Sequence, residues 1–259
     1  MTEQKIHPQT NEADQDRRRA LGLVAGAGLA ASTLILPGCS RAADENKANG
    51  VGKMGEEGEG EVTANEDLMR EHGVLRRILI VYSEVAPKLT ANPAAVDAGA
   101  IADAATLFRN FGERYHEQLL EEQHIFPLVK RAGGKGADLI DTLLAQHERG
   151  RAITNYILDR TREGSIATGD GDALARTMRT FVRMYETHAA REDTVVFPAF
   201  KAAVGRTTYA ELGEQFEDIE HREFGGDGFD IALDKVGDIE QALGLQTLAD
   251  FTAPPPPGG

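Results

Sequence analysis

FVRMYETHAAREDTVVFPAF, residues 181–200, is the stretch whose reading decides the fold. Traced back into the preceding residues, Leu174, Met178, Phe181, Tyr185, His188, Glu192 and Val195 step by four, three, four, three, four and three. That is the seam of one amphipathic helix, the face a bundle buries. His188 and Glu192 take two successive places in the seam, four apart and stacked on one side of the helix. An unsatisfied buried carboxylate is costly, so His188-x-x-x-Glu192 requires either a metal or a buried partner. Taken alone, the motif fits a salt bridge or a surface pair as readily as a metal site. Its repetition along the chain separates the readings.

Thr63-x-x-Glu66 reads as a capping box. Beyond it Leu68, His72, Leu75, Leu79 and Tyr82 mark a helical seam expected to stop before Pro87. Asn92-Pro93 reads as the cap and first turn of a second helix, running to about Phe126-Pro127. Gly133-Gly134-Lys135-Gly136 is a turn. A third helix carries Ile140, Leu143, Leu144, His147, Thr154 and Ile157 on one side. Gly164 and the Gly169-Asp170-Gly171 loop end it, with Asp172 expected to cap the fourth helix. Strand signals are absent. The expected fold is all-α: an up-down-up-down four-helix bundle over residues 63–203, with a short C-terminal helical appendage at 204–250 and a disordered tail at 251–259.

The two halves of the bundle match. REHGVLRRIL (70–79) resembles AQHERGRAIT (145–154), each placing one histidine in the seam. EEQHIFPLVK (121–130) resembles EDTVVFPAFK (192–201), an acidic pair followed by Phe-Pro at the same offset. Folded together, such helices point imidazoles and carboxylates at a common centre. These residues resemble the hemerythrin-like, or HHE cation-binding, family, a four-helix bundle around a non-haem di-iron centre. The resemblance implies two iron ions held by His72, His147 and His188, with Glu192 and Glu121 bridging them. Imidazole with carboxylate also suits manganese or zinc, so the preference for iron comes from the resemblance.

Three departures from the family pattern bear on the site. Sliding Glu121 onto Glu192 brings Glu117, rather than a histidine, opposite His188, and His116 sits one place earlier. Glu117 is therefore the favoured helix 2 ligand, with His116 next and His124 in reserve. Arg151 stands where oxygen-carrying hemerythrins place a second histidine, which argues against simple oxygen carriage. In helix 2, Phe108, Phe111, Tyr115 and Leu119 form an apolar stripe on the side opposite Glu117, Glu121 and His124. Either the stripe packs outside the bundle core, where it would dock the appendage, or a one-residue irregularity rotates the helix near Tyr115. Glu217 and His221, four apart in the appendage, read as a solvated helix end.

Arg17-Arg18-Arg19-Ala20-Leu21-Gly22 precedes an uncharged Ala/Gly/Leu run to Leu36 and resembles a twin-arginine export signal. The only cysteine, Cys39, excludes an internal disulfide and sits as in the lipobox of bacterial lipoproteins, which implies membrane attachment through a lipidated Cys39. Residues 1–39 are thus read as export signal and 40–62 as a flexible acidic Gly-rich linker. The expected location is periplasmic or otherwise extracytoplasmic. A formal charge of −14 argues against nucleic acid as a partner. Two functions remain. One is an exported di-iron protein that binds or reacts with dioxygen, peroxide or nitric oxide, or handles iron. The other is a non-catalytic metal-binding or sensing module in which metal orders the bundle.

Overall fold

The computed structural model describes residues 62–257, and all regular structure among them is helical. The export motif, Cys39 and all but the last residue of the 40–62 linker lie outside the described residues. Helix α1 spans Ala64–Ala91, and Thr63 caps it by accepting the Glu66 N–H at 3.4 Å. The expected stop before Pro87 is corrected, because α1 continues through it. Proline there removes one N–H, but the carbonyl left over belongs to exposed Ser83 and is free to bond water. The expected start of the second helix also moves. Pro93–Ala95 form a short 3-10 turn, and Asp97 caps the helix by accepting the Ala100 N–H at 3.0 Å.

Helix α2 begins as an α-helix at Ala98–Leu107, continues as a π-helix over Phe108–Ile125, and ends as an α-helix at Phe126–Ala132. Gly133 and Gly134, both at positive φ (77° and 79°), turn the chain into α3, Gly134–Thr161. Helix α4 spans Gly171–Arg191, passes through a π-helical turn at Glu192–Val196, and finishes at Phe197–Ala203. Asp170 occupies its N-cap position without a side-chain cap bond, and Asp172, the expected cap, lies in the first turn instead. A carboxylate there still complements the helix dipole. At the same end, a Cβ on Gly171 would come within 2.5 Å of the Leu89 carbonyl, so only glycine lets α4 approach α1 so closely.

These four helices pack around one apolar core that includes Ile78, Tyr82, Phe108, Leu174, Met178 and Phe181. Two further helices, α5 (Arg206–Phe224) and α6 (Gly228–Leu243), cover the outside of α1 and α2. Phe224 closes on Tyr115 and Phe111, with ring centroids 5.2 and 5.9 Å apart. Arg77 of α1 grips Glu240 of α6 through two bonds, of 2.7 and 2.5 Å. The docking explanation holds for part of the stripe, while Phe108 packs inward on Phe181 and Tyr185. The expected one-residue irregularity near Tyr115 is corrected to an 18-residue π-helix. Phe111 and Tyr115 pack against the appendage, and the π-helix changes the register. With hydrogen bonds reaching back five residues, as from the Phe126 N–H to the Glu121 carbonyl, each turn is wider than in an α-helix. Glu113, His116, Glu117, Leu120, Glu121 and Ile125 are all buried as a result, alongside the stripe rather than opposite it.

Candidate metal centre

Between α1, α2, α3 and α4 lie four buried histidines and two fully buried glutamates, contributed by all four helices. Single ligand atoms of Glu121, His147, His188 and Glu192 all fall within 4.8 Å of one another, and so do those of His72, His116 and Glu121. Two groups thus share Glu121. Glu192 also reaches both: its Oε1 is 3.0 Å from His188 Nε2, and its Oε2 is 3.5 Å from His72 Nε2. Glu121 Oε2 lies 3.4 Å from His147 Nε2, and Oε1 lies 3.7 Å from His116 Nε2. Each carboxylate faces one histidine of each pair.

The outward ring nitrogens are all held. His72 Nδ1 meets Asp193 at 2.7 Å, and Arg76 bonds the same carboxylate. His116 Nδ1 meets Glu71 at 2.5 Å, and that carboxylate also accepts the Tyr115 hydroxyl at 2.9 Å. His147 Nδ1 meets Glu122, and His188 Nδ1 meets Gln146, both at 2.9 Å. Holding Nδ1–H fixes each ring and leaves Nε2 as the atom with a free lone pair, which is how metal-binding histidines are oriented. These contacts close on themselves. The α1 histidine is held from α4, the α4 histidine from α3, the α3 histidine from α2, and the α2 histidine from α1. In every case the holding residue is the sequence neighbour of a proposed ligand: Glu71 of His72, Glu122 of Glu121, Gln146 of His147, Asp193 of Glu192.

At the centre His147 Nε2 and His188 Nε2 meet each other at 3.1 Å, and five further atoms lack hydrogen-bond partners. His116 Nε2 and all four carboxylate oxygens of Glu121 and Glu192 are buried without a hydrogen-bond partner. Each such atom costs about 1–3 kcal/mol, and more when charged, so five converging on one point call for a cation. Burial and the neighbouring Glu192 and Glu117 hold the Glu121 carboxyl well above its usual range. Burial would raise Glu192 too, but His188 and His72 pull it well below. Burial would likewise lower His72, yet Asp193 and Glu192 push it up to about 9. Burial and His72 hold His116 well below the ordinary imidazole range. The opposed shifts of Glu121 and Glu192, two carboxylates buried side by side, mark a place where positive charge is needed between them. The donor set therefore fits iron, manganese or zinc.

The structure brings six of the seven expected residues to this point: His72, His116, Glu121, His147, His188 and Glu192. Glu117 stands beside it, in a third group of possible ligands with Glu122 and His147. Its Oε1 accepts the Tyr185 hydroxyl at 2.7 Å, its Oε2 lies 3.4 Å from Arg151, and it faces His147 on the Nδ1 side at 4.0 Å. His116 instead presents an unpartnered Nε2 to the shared Glu121. His124 is corrected as a reserve ligand: half-buried, it packs 5.8 Å from Phe216 of α5. His221 is exposed, and its Nδ1–H bonds back to the Glu217 carbonyl at 2.8 Å. Sequence reading missed Glu71, Gln146, Glu122 and Asp193 as orienting residues. The signal available was the doubled polar residue beside each ligand. A cavity of about 10 Å³, room for about one water, lies against His72, His116, Glu117, Tyr185, His188 and Glu192.

The hemerythrin HHE cation binding domain matches residues 63–200, and a second, overlapping match covers 138–251. An uncharacterized protein of Mycobacterium bovis and two of Mycobacterium tuberculosis are each 42% identical over 248 residues, spanning 95% of this chain and 94% of the relative. No solved structure gives a significant match. The helical bundle, the buried His/Glu centre and the match over 63–200 agree, and the chain belongs to the hemerythrin HHE cation-binding family.

Proposed function

We propose that this protein binds two iron ions in an up-down-up-down four-helix bundle and uses them to bind or react with dioxygen, peroxide or nitric oxide. The observation that carries the reading is the convergence of unpartnered Glu121 and Glu192 oxygens between two histidine pairs. His72 with His116 would hold one ion, His147 with His188 the other, and the two glutamates would bridge them. Iron held there would supply one-electron redox chemistry and Lewis acidity toward a diatomic ligand or peroxide. The chain's own residues do the rest. Glu71, Asp193, Glu122 and Gln146 fix the imidazole rings. Tyr185 and Arg151 hold Glu117 at the wall of the small cavity, where an anionic carboxylate favours the more oxidised metal. Leu75, Leu79 and Phe108 line the same cavity and limit water. Arg151, paired with Glu117 and Glu122, takes the place of a further histidine. That substitution favours reaction over reversible carriage.

Export by the Arg17–Leu36 segment and anchoring through Cys39 belong to the same proposal, placing the reaction outside the cytoplasm. Metal analysis of the purified protein tests the reading, with reconstitution under anaerobic conditions followed by rapid mixing with oxygen, peroxide and nitric oxide. About two ions per chain and a spectral change on mixing support it. A well-folded protein that takes up no metal overturns it. Two bound ions that respond to none of the three leave the alternative, a module in which metal orders the bundle.

A further inference from the structure

One buried carboxylate has no part in holding the centre. Glu113 of α2 is 4% exposed, and its Oε1 has no hydrogen-bond partner. It lies one turn from Glu117, near enough to Tyr82 and Tyr185 to act on both electrostatically. Two other orphaned polar atoms belong to residues facing it: the hydroxyls of Tyr82 on α1 and Thr154 on α3, both on fully buried residues. Thr154 is close enough to favour the ionised carboxylate, but it falls outside hydrogen-bonding geometry. Acidic side chains are almost never this buried without a pair. The nearest cation, Arg109, stands 3.9 Å from Oε2 and is drawn off by a 2.6 Å bond to exposed Asn155. As an ion pair Glu113 is poorly made, so stability does not explain it.

Its position does. On one side Arg109 and Asn155 reach solvent. On the other, Glu117 and Tyr185 line the cavity beside the ligands. Glu113, Tyr82 and Thr154 each leave one polar atom orphaned, on three different helices, and internal waters are what such groups recruit.

We propose that Glu113, with water bridging the Tyr82 and Thr154 hydroxyls, carries protons between solvent at Arg109–Asn155 and the cavity lined by Glu117 and Tyr185. The proposal rests on the redox reading of the centre. Reduction of one peroxide to two waters would take two electrons, one from each ferrous ion, and two protons, so each electron the ions supply calls for one proton. Glu113 in its acid form would release that proton toward the cavity and regain one from solvent, so only the proton changes hands. The groups facing Glu113 suit the role. Burial raises its carboxyl to about 7, with Glu117 adding to the shift, while Thr154, Arg109 and Arg151 oppose it. From α1 and α4 the neighbours are Tyr82 and Tyr185, both held neutral by burial. A carboxyl poised there exchanges a proton near neutral pH with little driving force lost in either direction.

The test uses the full chain and Glu113→Gln, which keeps shape and polarity but cannot ionise. In the metal-free protein, infrared difference spectra across pH 5–9 should show a buried carboxylic-acid band that titrates near neutrality and is missing from the variant. In iron-loaded protein the variant should keep wild-type metal content and near-ultraviolet absorption. Its oxidation by peroxide should be about tenfold slower or more, and should lose the ionisation near neutral pH. Tyr82→Phe and Thr154→Val should slow the same step without removing the infrared band. An unchanged rate and pH profile in a fully loaded Glu113→Gln overturns the relay, as does a Glu113 that is ionised throughout the range. Failure of wild-type protein to load iron overturns the reading beneath it, and is told apart by metal analysis alone.

Discussion

Gly150 of α3 faces Tyr185, and a Cβ there would stand 2.0 Å from the tyrosine hydroxyl and 2.8 Å from Cζ. Tyr185 is buried against Phe108 and Phe181, so the ring has no room to withdraw. Gly150→Ala therefore forces an overpacked core, costing about 1–3 kcal/mol. Displacing the ring also breaks the 2.7 Å bond to Glu117. That bond ends on a carboxylate, which adds about 1.5–3 kcal/mol. Alanine's better helix propensity returns about 1 kcal/mol. The net expectation is a loss of about 3 kcal/mol, or roughly 6–12 °C in melting temperature for a domain of this size. Urea unfolding in the presence of chelator measures it without a contribution from metal. Gly73→Ala is the control, because that glycine sits in α1 with nothing within 4 Å of its added Cβ. It should stabilise by up to about 1 kcal/mol. In a Tyr185→Phe background, which lacks both the nearest atom and the hydrogen bond, alanine at 150 should cost less. Should Gly150→Ala match or exceed wild-type stability while Gly73→Ala behaves as expected, the packing argument fails.

His116→Ala should reduce bound metal from about two ions to about one, whereas Glu117→Gln should retain both; equal loss in the two variants, by metal analysis, would reverse their roles. Gln146→Ala leaves His188 without its Nδ1 partner and should weaken one of the two ions by about 10–100-fold in a chelator competition. Burial, with Glu71 next, raises the Asp67 carboxyl to about 7. The folded state therefore holds a proton that the unfolded state has lost, and stability falls as pH rises from about 4 through about 7. Glu71, Glu113 and Glu220 are raised by burial into the same range. Asp67→Asn should therefore lessen the fall in melting temperature between pH 5 and pH 8 without abolishing it, and an unchanged slope would refute the assignment. Phe224→Ala removes the ring seated on Tyr115 and Phe111 and should cost about 2 kcal/mol, seen as earlier proteolysis of α5 and α6 than of the bundle.

Much of this architecture was legible in the residues. The four-three steps around His188 gave a helix because apolar residues at that spacing can be buried only on one. The two Phe-Pro repeats gave the pairing of Glu121 with Glu192. Helix α2 was misread because α-helical spacing cannot place Phe111, Tyr115, Glu117 and Glu121 all in the interior. The π-helix that does so depends on tertiary packing from both sides, and local sequence carries no sign of its length. For the same reason His116 is easily overlooked: aligning the halves by α-helical register puts Glu117 opposite His188, while the wider turn brings its neighbour inward as well. The α1 boundary was missed for a simpler reason. A proline costs a hydrogen bond, but near an exposed helix end water replaces it.

The ring of contacts around the histidines changes what a substitution means in this chain. Each helix carries one histidine meant for the centre, joined on α2 and α4 by a glutamate, and one residue that steers a ring belonging to a different helix. No helix can therefore drift in sequence by itself. A change at Glu71 is felt at His116, and a change at Gln146 is felt at His188, across gaps of more than forty residues. Exchanging a single helix with that of a relative would break two joints at once, one on each side. Chimeras of this bundle should be cut so that the holder and the held travel together. Among relatives, these eight positions should vary as linked pairs rather than one at a time.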